Sequence, residues 1–285
     1  MKTIRTVADL RAALAGPRRS GHSIGLVPTM GSFHQGHLSL MRRAREECDE
    51  VVVSLFVNPA QFGQAADLSR YPRDEAGDAQ AAADAGADYL FAPPVPEIYP
   101  PGFATTVTVS GITETLEGAQ RGRSHFDGVV TVVTKLLNIV GPDVAYFGQK
   151  DAQQALVIKQ LVRDLDIPVR IEVCPTVREP DGLAMSSRNR LLSPDERARA
   201  AAISRALTGA RAAVAAGERD AAKVADRARA QMSSDGVEPE YLELVSTDTL
   251  APVNVIDEDV LVVVAAQIGA TRLIDNEIMA SNGRS

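Results

Sequence analysis

Pro28-Thr29-Met30-Gly31-Ser32-Phe33-His34-Gln35-Gly36-His37 is the stretch on which the reading of this chain turns. Ahead of it, Ile24-Gly25-Leu26-Val27 reads as a short buried strand, and an amphipathic helix pattern begins near His37. A strand that passes through a glycine-bearing turn into a helix start aims backbone N–H groups and a helix dipole at one point, where anions bind. His34 and His37 add paired donors for phosphate oxygens, and Gly36 between them lets a ligand approach closely. The same histidines are compatible with half of a metal site or with caps on the helix start. The strand–turn–helix context is what favours a nucleotide triphosphate.

The rest of the chain alternates. The pattern predicts helix over 6–15, strand over 24–27, helix from His37, strand over 51–57, helix over 74–85 closed by Gly86, and strand over 88–91. After a proline-rich loop at 92–102, residues 105–109 alternate like an edge strand. Helix is expected over 126–140 and 151–165, and strand over 143–147 and 169–173. Strands alternating with helices imply an α/β fold, a Rossmann-like parallel sheet flanked by helices, with the ligand beyond the C-terminal strand ends. The turns after Val27, at Asn58-Pro59 and after Phe147 all fall at that edge. From about Thr176 the texture changes to two Ala/Arg-rich helices, the first opened by a Ser193…Glu196 capping box, followed by strands at 240–245, 260–266 and 272–275. This divides the chain into 1–175 and a smaller α+β C-terminal domain, 176–285. The helices of the latter read as solvated faces, and the polar tail after Met279 as disordered.

Composition narrows the function. The 285 residues are 45% hydrophobic with no tryptophan, enough for an aliphatic core, and the net charge of −7 disfavours a nucleic-acid partner. Four histidines and two cysteines, Cys48 and Cys174, make no dense metal cluster or redox motif. The longest apolar run, 260–266, is too short to span a bilayer, no secretory leader pattern opens the chain, and a cytoplasmic location is expected.

Three further groups carry chemistry. Asn58-Pro59-Ala60-Gln61-Phe62 follows a strand and offers uncharged donors, or is only a polar turn. Gly148-Gln149-Lys150-Asp151-Ala152-Gln153-Gln154 again follows a strand: Lys150 suits a phosphate, Asp151 ribose hydroxyls, and Gln154 stands one turn beyond. Met185-Ser186-Ser187-Arg188-Asn189 offers two hydroxyls and a guanidinium in an irregular segment. Glu117 and Arg121 match an i,i+4 ion pair. Each group has an ordinary explanation; their joint order points to a nucleotide enzyme.

These segments, with Tyr71-Pro72-Arg73, Leu116-Glu117-Gly118 and His125-Phe126-Asp127-Gly128-Val129, make the chain resemble the pantothenate synthetase (pantoate–β-alanine ligase) family of His-x-Gly-His nucleotidyltransferase-like enzymes. The matching segments run in family order over about the first two thirds of the chain. The resemblance implies a C-terminal lid, a homodimer, and a reaction of ATP, (R)-pantoate and β-alanine through pantoyl adenylate, with Mg²⁺. It implies that His34, His37, Lys150, Ser186, Ser187 and Arg188 hold ATP phosphates, with His34, His37, Lys150 and Arg188 catalytic. Gly148 and Asp151 would hold the ribose, and Met30, Val177 and Met185 would complete the ATP site. Pro28, Met30, Asn58, Gln61 and Gln154 would bind pantoate. Where the family pattern has two adjacent acids near Mg²⁺, this chain has Gly77-Asp78, so Asp78 would meet a metal held mostly by ATP. Gln35 and Ala152 replace an acidic and an aromatic residue, and Arg121 or Arg123 can take the family's arginine position. The rivals are another adenylyltransferase of the same site class and a non-catalytic nucleotide-binding protein. The first would want Arg or Lys where Gln61 and Gln154 stand, and the second would not need the intact His, Lys and Ser-Ser-Arg groups.

Overall fold

The computed structural model describes residues 1–63, 68–69 and 71–280. The tail expected to be disordered lies, from residue 281 on, outside them. Two compact units form. One takes Met1–Gly148 and Gln153–Pro175, the other Gln149–Ala152 and the chain from Thr176. Residues 149–152, which the sequence division places in the first part, pack with the second.

In the first unit, β1 (Lys2–Ile4), β2 (Ile24–Thr29), β3 (Glu50–Leu55), β4 (Tyr89–Phe91), β5 (Val144–Gly148) and β6 (Arg170–Cys174) form a parallel sheet in the order β1-β4-β3-β2-β5-β6. The helices are α1 (Val7–Arg19), α2 (Gln35–Glu47), α3 (Glu75–Asp84), the short α4 (Val95–Ile98) and α5 (Glu117–Arg121), α6 (Arg123–Val140) and α7 (Ala152–Asp164). The central strands read as unbroken apolar runs because both faces are covered. Leu26, Val52, Ala145 and Phe147 enter one core with α1, α6 and α7, while Val27, Val51, Val53 and Tyr146 enter another with α2. The strand order reverses between β2 and β5, and in such sheets ligands bind at that point.

Three expectations change here. Residues 105–109 form no strand. Val107 donates its N–H to Thr131 Oγ1 (3.0 Å) and its carbonyl accepts from the same hydroxyl (3.4 Å), so a side chain serves the groups that a neighbouring strand would. Helix α1 runs on through Pro17 to Arg19. Proline so near a C-terminus costs little of the hydrogen-bond ladder, and Arg18 ties that end to the carbonyls of Val140 and Gly141. Strand β1 has no counterpart in the sequence pattern: of its three residues only Ile4 is buried.

The second unit is α8 (Pro194–Ala215), α9 (Ala221–Ser234) and the antiparallel sheet of β7 (Pro239–Ser246), β8 (Val260–Ile268) and β9 (Thr271–Met279). The Ser193–Glu196 capping box forms. Helix α8 is less solvated than its composition suggests: Ala202, Ile203, Ala206, Leu207, Ala210 and Val214 are core residues, packed with Val262 and Val264.

Two glycines give opposite expectations. A Cβ on Gly16, in α1, meets nothing within 4 Å, so Gly16→Ala should stabilise by about 0.5–1 kcal/mol. On Gly128, in α6, it would lie 2.5 Å from the Ala60 carbonyl carbon and 2.6 Å from Gln61 N. Gly128→Ala should therefore destabilise, by about 1–3 kcal/mol. Denaturant melts of the two variants should move in opposite directions.

Candidate active site

After β2 the chain turns through two consecutive left-handed residues, Gly31 (φ +90°) and Ser32 (φ +55°). Glycine suits the first, where a Cβ would lie 2.7 Å from Leu55 Cδ1 and 2.8 Å from Asp78 Oδ2. Serine at the second is strained, and the surroundings hold it there. Asp78, buried on α3, accepts from Ser32 N through Oδ2 and from Phe33 N through Oδ1, both at 2.7 Å. Asp74 caps the same helix through Gly77 N, and a Cβ on Gly77 would collide with that cap.

The turn delivers His34 to the N-cap of α2, where its ring and that of His37 lie 4.1 Å apart. His34 Nδ1 accepts from Gly36 N at 3.1 Å, and His37 Nδ1 accepts from His34 N at 3.4 Å. The helix-cap reading of this pair is thus realised, and it does not compete with the phosphate reading. An Nδ1 that accepts places the proton of a neutral imidazole on Nε2, so each ring turns an N–H donor away from the cap.

Asn58 and Gln61, at the end of β3, lie beside Met30. Asn58 Nδ2 donates to Gln61 Oε1 and to the Gly128 carbonyl, both at 3.0 Å, and Gln61 Nε2 reaches Met30 Sδ at 3.0 Å. Two residues outside the expected site complete this group. Tyr99 donates its hydroxyl to Asn58 Oδ1 (2.8 Å), and His125 Nδ1 contacts the Gln61 carbonyl (2.9 Å). Burial pushes the Tyr99 phenol up to about 12, against the pull of Asn58, so it remains a donor at neutral pH. Pro28 lies within β2, Gly148 ends the neighbouring β5, and Gln154 is half-buried in the first turn of α7. A cavity of about 500 Å³ is lined by Met30, Phe56, Pro59, Asp78 and Val95 among others, and neither His34 nor His37 is part of its lining. The Glu117–Arg121 ion pair forms (2.8 Å), while Arg123 reaches Ser110 Oγ at 3.4 Å.

The second unit holds the remaining candidates. Lys150 and Asp151 lie on a 3₁₀ turn with Lys150 Nζ 3.9 Å from Asp151 Oδ1. Val177 accepts from Met185 N (2.9 Å) across a hairpin that leads into Ser186, Ser187 and Arg188, all half-buried, with Ser186 Oγ accepting from Arg188 N (3.2 Å). Under this hairpin Arg178 grips buried Asp275 at 2.6 and 3.2 Å. Burial raises the Asp275 carboxyl against the pull of Arg178; Arg178, which burial alone would lower, is raised by Asp275. The bidentate contact decides for the ionised pair, because arginine keeps its proton.

Asp78, the residue expected to meet a metal held mostly by ATP, is engaged with the turn after β2. Both its oxygens serve backbone amides, and among the described residues no group of three or more His, Cys, Asp or Glu side chains is arranged to hold a metal. Nor is any helix there long and apolar enough to cross a membrane.

The pantoate-beta-alanine ligase family model matches residues 2–278. The pantothenate synthetase of Moorella thermoacetica is 51% identical over 283 residues, covering 99% of this chain and 100% of that protein. That of a Chelativorans species is 54% identical over 273 residues, covering 95% of both chains. Among solved structures, pantothenate synthetase from Thermus thermophilus superposes with a TM-score of 0.92 at 46% identity, covering 97% of this chain and 99% of that one. The pantoate-beta-alanine ligase from Francisella tularensis, complexed with beta-gamma ATP and beta-alanine, has a TM-score of 0.80 at 35% identity, covering 98% of this chain and 97% of that one. The chain belongs to the pantoate–β-alanine ligase family.

The histidine geometry is testable without turnover. Nitrogen-15 NMR of labelled protein at neutral pH should show His34 and His37 as Nε2–H tautomers with unprotonated Nδ1. Nδ1–H signals for either ring would contradict the capping geometry.

Proposed function

We propose that this family member condenses pantoate with β-alanine to give pantothenate, AMP and pyrophosphate. A pantoate carboxylate oxygen attacks the α-phosphorus of ATP, and the bond to the pyrophosphate oxygen breaks. The β-alanine amine then attacks the acyl carbon of pantoyl adenylate; AMP leaves with the electron pair of the acyl–oxygen bond, and the amine loses its extra proton to solvent. The observation that carries the reading is the His34–His37 pair at the head of α2, two N–H donors beside a helix N-terminus at the strand-order reversal. Family membership and the names of the relatives support the substrates.

Such a displacement needs positioning and charge stabilisation, and no protein nucleophile. We assign His34, His37, Lys150, Ser186, Ser187 and Arg188 to the triphosphate and Gly148 and Asp151 to the ribose. Met30, Val177 and Met185 are assigned to the remainder of ATP, and Pro28, Met30, Asn58, Gln61 and Gln154 to pantoate. Neutral amides suit the attacking acid: an arginine there would pair with its charge and blunt its nucleophilicity. We assign Asp78 to the turn, on the two backbone amides that its oxygens hold, and any Mg²⁺ used is proposed to arrive on ATP. The homodimer and the cytoplasmic location complete the proposal. The resemblance supports both, and two free, buried cysteines fit a reducing compartment. A monomeric mass in light scattering would remove the dimer.

The test is pantoate-dependent ATP–pyrophosphate exchange without β-alanine. Exchange is expected, and Lys150→Ala should cut it by roughly 10²–10³, the scale of one lost charge-stabilising donor. Active enzyme without exchange would refute the adenylate, and full exchange in Lys150→Ala would remove that lysine from the mechanism.

Asp78 separates a turn anchor from a metal ligand. Asp78→Ala leaves two buried N–H groups unpaired and should destabilise by about 2–4 kcal/mol. Its exchange rate should fall while the Mg²⁺ concentration giving half-maximal rate stays put. A raised Mg²⁺ requirement with unchanged stability would restore the metal role.

A further inference from the structure

Lys150 is held by a residue far away in sequence. The last strand, β9, carries Asp275 and Asn276, which are 3% and 4% exposed. Asn276 Nδ2 donates to two consecutive carbonyls, Gln149 O and Lys150 O, each at 2.9 Å. Its Oδ1 accepts from Gln149 Nε2 at 3.0 Å. Both amide hydrogens and the oxygen are therefore committed to one short turn. The two carbonyls belong to the two peptide planes that meet at the Cα of Lys150, so holding both fixes the direction in which its Cβ leaves the backbone. A lysine side chain is long and flexible, and that direction is what the backbone can set for it.

The neighbouring residue extends the grip. Asp275 Oδ1 accepts from Asn276 N at 2.8 Å and, with Oδ2, binds Arg178. Arg178 also donates to Gly182 O (3.1 Å) and pairs across the hairpin with Ala184, one residue before Met185 and two before Ser186. Two adjacent residues of β9 thus bind the Lys150 turn on one side and the Ser186–Arg188 hairpin on the other.

We propose that Asn276 is a positioning residue for Lys150, with Asp275 and Arg178 tying that lysine's turn to the hairpin bearing Ser186, Ser187 and Arg188. This rests on the assignment of Lys150 to the ATP phosphates. Asn276 touches no reacting atom; it acts through the backbone of the lysine that does.

The experiment is a double-mutant cycle on ATP–pyrophosphate exchange, with rates normalised to folded protein. Asn276→Ala should lower kcat by roughly 10- to 100-fold, the scale of a misplaced catalytic group, with the KM for pantoate unchanged. In the Lys150→Ala background the same substitution should change the rate by less than about twofold, because its target is gone. A residue that merely holds β9 in place would cost the same factor in both backgrounds, and that result overturns the proposal. So does a wild-type kcat in Asn276→Ala. If Asn276→Ala does not fold, Asn276→Asp serves: it keeps the size and the acceptor for Gln149 but loses both donors, and it should show the same loss and the same dependence on Lys150. Absence of exchange in the wild-type enzyme would instead refute the proposed reaction, and this inference with it.

Discussion

The first unit depends on a carboxylate that holds a turn. To place an N–H donor beside the head of α2, the chain must leave β2 and reverse within a few residues, and it does so through Gly31 and Ser32 in the left-handed region. Glycine adopts that conformation freely, but serine does not. The turn is held from outside by Asp78, whose two oxygens take the backbone amides of Ser32 and Phe33. With the turn fixed, His34 falls at the N-cap, its ring closes on Gly36 N, and His37 closes on His34 N. The tautomer of each ring, and with it the donor that an anion would meet, thus follows from a contact some 45 residues distant in sequence.

The second unit solves the same problem with different chemistry. A flexible lysine has to be aimed, and here the means is a neutral amide on two carbonyls, backed by a buried ion pair. A buried ion pair is weak evidence for stability in itself, since its desolvation offsets much of its attraction. Its value at Asp275 lies in geometry: a bidentate guanidinium has one good orientation, and Arg178 uses it while also bonding the hairpin. In both units the residue assigned to ATP lies on a turn, and the residue that fixes the turn is buried and charged or polar.

Elements with a repeating pattern and a local stop signal were legible in the sequence, and contacts across the fold were not. The central strands stand out as apolar runs because both faces are covered, and α8 announces itself through Ser193 and Glu196. Residues 105–109 alternate because Val107 and Val109 lean on the core, yet their backbone is served by Thr131, and alternation does not distinguish that from a strand. In the sequence nothing local says that Asp78 reaches Ser32 and Phe33. Asn276 sits in a strand with no motif around it, and its partners lie 126 and 127 residues away. The histidine pair is legible as donors, but its two readings look like alternatives until the two nitrogens of each ring are seen to allow both.

The polar network at Gln61 shows how the amide assigned to pantoate acquires its orientation. Its O and N ends are alike in shape, so the network must choose between them. The Gly128 carbonyl can only accept and the Ala60 N–H can only donate, which settles Asn58; the Tyr99 hydroxyl, which can do either, donates to the end that accepts. Asn58 Oδ1 therefore faces Tyr99, and its Nδ2 faces Gly128 O and Gln61. Gln61 must then present its oxygen to Asn58 and its N–H to Met30 Sδ. A thioether is a weak acceptor, so the N–H at Met30 is the one that a carboxylate or hydroxyl oxygen would take over at least cost. Two side-chain amides pass one donor direction from the backbone around Asn58 to the place where the proposed substrate would bind, and neither needs a charge to do it.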